Sequence, residues 1–64
     1  MLITRRSPFS GDVNTLDIPC TEAQLMLWEH GALIQNAMPN LTAGQREFIM
    51  TGITEEEWNA TFGV

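Results

Sequence analysis

The sequence predicts an α+β fold in which an N-terminal β-hairpin is followed by three to four short capped helices. Two segments rich in β-branched residues flank a turn at residues 7–12, which is the pattern of a hairpin. Three later segments each begin with a threonine, carry Gln or Glu three positions on, and end at a glycine. These are the signals that begin and end short helices. We therefore expect one domain over residues 1–64, with the hairpin in 1–19 and the helices in 20–64.

The predicted strands are residues 2–6 and 13–18. Alternation along the second strand predicts one shared face for three side chains: Asn14, Leu16 and Ile18. The link at residues 7–12 contains a proline and a glycine, which suit a turn, and Pro19 ends the second strand because it has no N–H for the ladder. Since a lone hairpin is barely stable in water, this one must pack on the helices or pair along an edge.

Three capping boxes predict where the helices begin. Their N-cap threonines and third-position partners are Thr21 with Gln24, Thr42 with Gln45, and Thr54 with Glu57. A Schellman-type ending at Gly31 predicts contact between Leu27 and Ala32. Residues 32–38 are expected to form a further short helix that stops before Pro39. In the last helix Trp58 and Phe62 stand four residues apart, and we expect them on its buried face.

The chain has 64 residues, and a monomer of this size buries about 60% of its unfolded surface and is marginally stable. Small domains usually gain stability from disulfides, a metal or oligomerisation. Cys20 is the only cysteine and His30 the only histidine, so neither an intrachain disulfide nor a structural zinc site is expected. Oligomerisation remains, and we expect a homodimer. The predicted interface is the broad apolar surface of Met26, Leu27 and Trp28.

The composition is acidic, with eight acidic residues, three arginines, no lysine and a net charge of −5. Because nucleic-acid binding requires cations that displace phosphate counterions, we expect no nucleic-acid partner. An acidic surface favours a basic protein partner instead. No apolar run approaches the roughly 18 residues that span a bilayer, and Met1-Leu2-Ile3 leads into no signal-peptide core. We therefore expect a cytoplasmic protein without membrane contact.

No pattern in the sequence predicts an enzyme. The run Glu55-Glu56-Glu57 falls in the first turn of a helix, where free N–H groups stabilise carboxylates. His30 falls in the last turn of a helix, and Cys20 falls at a strand–helix junction. We interpret the first as a capping or surface residue and the second as a packing residue. With no metal motif, phosphate loop or catalytic triad order, we expect a non-enzymatic protein with no cofactor.

Arg5, Arg6 and Phe9 are the candidate partner-binding residues. They lie late in the first strand and in the turn that follows it. Arginine and aromatic side chains are enriched at interface hot spots, so this group predicts a recognition surface on the hairpin. The alternative interpretation is that the arginines protect an edge strand while Phe9 folds back on the core.

Several motifs resemble a family of small proteins encoded by tailed bacteriophages and prophages. They include Leu-Ile-Gln-Asn-Ala-Met-Pro at 33–39, Arg-Glu-Phe-Ile at 46–49, Thr-Gly-Ile-Thr at 51–54 and Glu-Glu-Trp at 56–58. The resemblance extends over nearly the whole chain. It implies a protein made inside an infected bacterium, and it brings no activity and no functional residues with it.

The expected function is therefore that of a phage accessory protein that binds a host protein, as an inhibitor of a bacterial defence system. Two alternatives stay open. The first is a small virion or assembly component. The second is an oligomer that sequesters a small nucleotide-like ligand between Trp28 and either Arg5 or Arg6 of neighbouring subunits.

Overall fold

The computed structural model describes residues 1–63, and these form a two-stranded antiparallel sheet followed by four helices. The strands are β1 (Leu2–Arg6) and β2 (Val13–Asp17). The helices are α1 (Glu22–Glu29), α2 (Ile34–Ala37), α3 (Ala43–Thr51) and α4 (Glu55–Phe62). The predicted α+β fold is confirmed, and the second strand ends one residue earlier than the alternation suggested.

All three predicted capping boxes are present. In each, the threonine hydroxyl accepts from the third helical N–H, and the Gln or Glu at that position accepts from the threonine N–H. The predicted Schellman ending of α1 is confirmed as well. The N–H of Ala32 donates to the carbonyl of Leu27, and that of Gly31 donates to the carbonyl of Trp28, both at 3.0 Å. Local sequence therefore determines where these helices begin and end.

The core lies between the inner face of the hairpin and the helices. In the antiparallel register Ile3 pairs with Leu16 and Arg5 with Asn14, and these side chains share the face that meets the helices. The most deeply buried apolar side chains come from the hairpin, the end of α2, and α3: Ile18, Met38, Phe48 and Ile49. Half-buried residues of α1 pack against this cluster from one side. The other face of the hairpin is open to solvent.

The end of α3 lies directly against β1. Gly52, which follows α3, has φ +85°, a conformation that glycine adopts without steric cost. A Cβ at this position would lie 2.4 Å from the carbonyl oxygen of Arg6. Gly52 is therefore required both by its backbone conformation and by the close approach of the strand.

The expectation that Trp58 and Phe62 face the core is wrong. Both side chains are exposed, and α4 buries none of its residues completely. The reason is that Phe48, Ile49 and Ile53 already fill the core beneath the hairpin. After the sharp turn at Gly52, α4 lies on the surface of this core rather than within it.

Candidate functional site

Three aromatic side chains meet on the surface of the protein, and we call Phe9, Trp58 and Phe62 the aromatic patch. The ring centroids of Trp58 and Phe62 are 4.5 Å apart, and those of Phe9 and Phe62 are 5.8 Å apart. Both pairs are tilted, in the range where aromatic rings attract each other. The three side chains remain 46%, 44% and 59% exposed, respectively. The patch therefore presents apolar area that the folded chain itself does not cover.

Phe9 is brought to this patch by the loop between β1 and β2, and Ser7 shapes that loop. The Ser7 hydroxyl accepts from the N–H of Phe9 at 3.2 Å and from the N–H of Ser10 at 3.4 Å. The backbone N–H of Ser7 donates to the carbonyl of Asp12 at 2.8 Å and closes the loop. Such side-chain bonds to nearby N–H groups are the turn chemistry of serine. Ser7 is buried, although it is polar, because these bonds and the one described next satisfy it.

Glu57 joins this loop to α4. The hydroxyls of Ser7 and Ser10 donate to Oε2 of Glu57 at 2.5 and 3.1 Å. The other oxygen, Oε1, accepts from the N–H of Thr54 at 3.3 Å and completes the capping box. One carboxylate thus fixes both the start of α4 and the position of the loop that carries Phe9.

These hydrogen bonds change the acidity of Glu57. The bond from Ser7 is the largest influence, and it holds the pKa of the Glu57 carboxyl below its ordinary value of 4.5. Partial burial acts in the opposite direction, while bonds from Thr54 and Ser10 lower the pKa further. A carboxylate that accepts several hydrogen bonds is favoured over the protonated acid, so Glu57 is charged at neutral pH.

The structure separates the three residues predicted to form a recognition surface. Arg5 points to the inner face, where its Nε donates to the carbonyl of Ile49 at 3.2 Å. Arg6 points to the solvent face, and its Nη1 donates to the carbonyl of Gly11 at 3.1 Å. Neighbouring residues of a strand face opposite ways, so the two arginines do not form one surface. Of the three, only Phe9 belongs to the aromatic patch.

A cleft of about 300 Å³ lies between α3 and α4 beside the patch. Its main lining residues are Ala43, Gly44, Glu47, Glu55, Trp58 and Asn59. A Cβ on Gly44 would lie 3.1 Å from Oε2 of Glu55, so the bare backbone lets this carboxylate lie over the first turn of α3. The ionisable residues that line the cleft are both acidic. The cleft therefore suits a cationic group and repels phosphate.

The residues predicted as an oligomer interface have different environments. Met26 and Leu27 are exposed on α1. Trp28 is half-buried and packs against the hydrophobic core. Its size and position are therefore accounted for within one chain, while Met26 and Leu27 stay available for a contact between chains.

The remaining sequence candidates are placed as follows. His30 is exposed at the end of α1, and Cys20 is buried in the core cluster as a free thiol. Within residues 1–63, no group of three or more His, Cys, Asp or Glu side chains is arranged to hold a metal ion. In the same part of the chain, no helix has the length and apolar character needed to cross a bilayer.

Sequence reasoning missed Ser7 and the second role of Glu57. The capping box gave Glu57 a sufficient local explanation, so its free oxygen was not assigned a partner. The serines at 7 and 10 suggested only a turn. Their bonds to Glu57 cross 50 and 47 positions of the chain, and no local pattern reports a contact at that distance.

Comparison with known proteins adds no assignment, because no protein-family model, curated protein or solved structure matches the chain.

Proposed function

We propose that this chain is a non-enzymatic binding protein that engages another protein through the aromatic patch. The observation that carries the proposal is the contact between three exposed rings from two distant parts of the chain. Single exposed apolar residues are ordinary on protein surfaces, but a contiguous cluster marks an interaction site. Tryptophan is also among the residues that contribute most to binding when a partner covers them.

The patch is assembled before any partner arrives. Ser7 and Glu57 hold the loop of Phe9 against α4 through hydrogen bonds. Aromatic side chains have few rotatable bonds, and contact with neighbouring rings restricts them further. Binding then costs less conformational entropy than it would for three independent side chains. This favours recognition by a preformed surface.

The partner surface is expected to be basic and apolar. Glu47 and Glu55 line the cleft that shares Trp58 with the patch, and the chain carries a net charge of −5. A lysine or arginine of the partner would gain from these carboxylates and from the face of the indole ring. The same charges oppose a phosphate-bearing ligand in this cleft.

The cellular setting of this proposal comes from the resemblance to phage-encoded proteins. On this basis, the partner is a protein in the cytoplasm of the infected bacterium. The proposed target is a component of a bacterial defence system, which the accessory protein would inhibit. A role in the virion is the second candidate, and mass spectrometry of purified particles distinguishes the two.

The proposal is tested by capture from a bacterial host lysate with three forms of the protein. These are the wild type, a patch variant with Phe9, Trp58 and Phe62 changed to Ala, and a control with Met26 and Leu27 changed to Ala. The control removes exposed apolar groups of similar kind from α1. Circular dichroism checks that all three are folded.

We expect one host protein to be retained by the wild type and by the control, and lost from the patch variant. Calorimetry with that purified protein should then give an affinity at least about 30-fold weaker for the patch variant, the effect of losing one hot spot. Retention that is equal for all three forms, or no retained protein at micromolar concentration, contradicts the proposal.

A further inference from the structure

The outer edge of β2 is an open hydrogen-bonding surface, and we propose that it pairs with β2 of a second copy of this chain. The pairing would be antiparallel and would join two hairpins into one four-stranded sheet. It involves neither the aromatic patch nor the α1 surface of Met26 and Leu27. The inference is therefore independent of the function proposed above.

The hydrogen bonds at the two ends of the hairpin show which backbone groups point outward. Ser7 bonds to Asp12, and Ile18 bonds to the carbonyl of Met1. Bonded pairs alternate with non-bonded pairs along an antiparallel ladder, so the bonded pairs within it are Ile3–Leu16 and Arg5–Asn14. The N–H and C=O groups of the intervening β2 residues point away from β1. These residues are Val13, Thr15 and Asp17.

The outward groups of β2 have no partner within residues 1–63. No backbone or side-chain hydrogen bond of the described chain reaches the N–H or C=O of Val13, Thr15 or Asp17. All three residues are exposed, so no other element covers this edge. An uncovered edge of this kind is a template for another strand.

The edge of β1 is partly occupied in contrast. Nη1 of Arg5 donates to the outward carbonyl of Thr4 at 2.9 Å. The outward carbonyl of Arg6 faces the backbone of Gly52 at the end of α3. In addition, β2 contains no proline, lysine or arginine, the residues that commonly protect an edge. Of the two edges of this sheet, β2 is therefore the less obstructed one for a further strand.

The geometry of β2 fits a second copy of itself. In an antiparallel pair centred on Thr15, Thr15 faces Thr15 of the second copy, and Val13 faces its Asp17. Each residue whose N–H and C=O groups point outward then faces another such residue in the second copy. All of these backbone groups are thereby hydrogen-bonded. A register centred on Asn14 or Leu16 leaves part of this set unpaired. The interface is thus self-complementary, as a two-fold dimer requires.

The side chains on the solvent face agree with this register. Thr4 and Thr15 already share a hydroxyl hydrogen bond of 2.8 Å across the hairpin, and the dimer extends it into a row of four threonines. In the next row Arg6 lies beside Val13, which faces Asp17 of the second copy. The carboxylate of Asp17 already pairs with the N-terminal ammonium of its own chain at 2.9 Å, so this row brings no unpaired carboxylate into the interface. Leu16, on the other face, gains cover from the second copy.

Charged residues introduced at the two-fold axis provide the test. Thr15→Lys and Thr15→Glu each place like charges directly opposite each other, which destabilises a strand pair. Thr4→Lys and Thr4→Glu are matched controls. They remove the same hydroxyl bond and add the same charge, but on β1, one strand away from the axis. The masses are measured by size exclusion with light scattering over a concentration series, and circular dichroism checks folding.

We expect the wild type to have about twice the 7.2 kDa mass of one chain, and the Thr4 variants to behave alike. Each Thr15 variant alone should dimerise about fivefold more weakly, because like charges would lie directly opposite each other. An equimolar mixture of Thr15→Lys and Thr15→Glu should recover the dimer mass. The inference is overturned if the wild type is monomeric at about 200 µM (~1.4 mg/ml), or if the mixture stays monomeric. It is also overturned if the Thr4 variants lose the dimer as readily as the Thr15 variants do. A dimer that survives the Thr15 changes and is lost on changing Met26 and Leu27 to Ser overturns it as well.

Discussion

The hydroxyl of Ser7 donates a 2.5 Å hydrogen bond to the carboxylate of Glu57 across 50 positions of the chain. Ser7 closes the hairpin loop and Glu57 begins α4, so this bond couples the two elements that carry the aromatic patch. None of the residues of α4 is fully buried, so packing alone anchors this helix less firmly than α3. The position of α4 therefore depends on this polar link as well as on packing.

Replacing Ser7 with Ala should destabilise the fold and loosen the patch. The change leaves the N–H groups of Phe9 and Ser10 without their acceptor in a partly buried site. Unpaired buried donors cost about 1–3 kcal/mol, which lowers Tm by roughly 4–24 °C in a domain of this size. Ser10→Ala is the matched control, because Ser10 bonds the same Glu57 oxygen from an exposed position. Equal Tm values for the two variants would show that Ser7 has no special role.

Because of Glu57, the free energy of unfolding should fall when the protein is acidified. Its pKa lies below 4.5 in the folded chain, so folding favours the carboxylate over the protonated acid. The stabilisation is fully present above the ordinary pKa and is lost as pH falls from 4.5 through the lowered value. Protonation would also make the carboxyl a weaker acceptor for the two serine hydroxyls. The loop would then be held less firmly to α4.

Urea unfolding from pH 2.5 to pH 7 checks this prediction. Glu57→Gln removes the charge but keeps the shape of the side chain, and Glu56→Gln removes an exposed charge from the same helical turn. The stability gap between wild type and Glu57→Gln should be constant above roughly pH 5.5 and shrink below pH 4.5. The gap for Glu56→Gln should change less. A gap for Glu57→Gln that grows on acidification would contradict the assignment.

Replacing Gly52 with Ala should be among the most damaging single changes in the chain. A side chain at φ +85° costs about 1–2 kcal/mol, and here the added Cβ would also meet the carbonyl oxygen of Arg6 at 2.4 Å. Gly11→Ala separates the two effects, because Gly11 has φ +78° with no atom near its Cβ position. We expect thermal unfolding to show a clearly larger fall in Tm for Gly52→Ala. Similar falls would mean that β1 can move away from α3.

Local signals predicted most of this fold. The threonine and glycine positions gave the helix ends, because capping depends on residues within four positions of each other. The hairpin followed from alternation and turn residues for the same reason. The face that α4 turns to the core was not predictable in this way. Its two large apolar residues, Trp58 and Phe62, have helical spacing, but the space they would occupy is already filled by α3 and Ile53.

The candidate site was only partly predictable for a related reason. Phe9 was identified from its residue type and its place on the loop. The arginines were grouped with it because they are near in sequence, yet the strand turns Arg5 inward to the carbonyl of Ile49. The rings that do join Phe9 come from α4, more than 40 positions away. Sequence proximity was a poor guide here, and tertiary contact decides which aromatic residues act together.

The contact between Phe9 and Phe62 should be measurable as a coupling energy. A double-mutant cycle with Phe9→Ala and Phe62→Ala isolates the interaction between these rings. Aromatic pairs contribute about 0.5–1.5 kcal/mol beyond the area they bury, and we expect the lower part of that range because both rings are half-exposed. The cycle is read from urea unfolding, followed by the fluorescence of Trp28 and Trp58. A second cycle, Phe9→Ala with Met26→Ala, should be additive within about 0.5 kcal/mol, because Met26 lies on α1. Additivity in both cycles would mean that the patch is not preassembled, and the entropic argument for partner binding would fail with it.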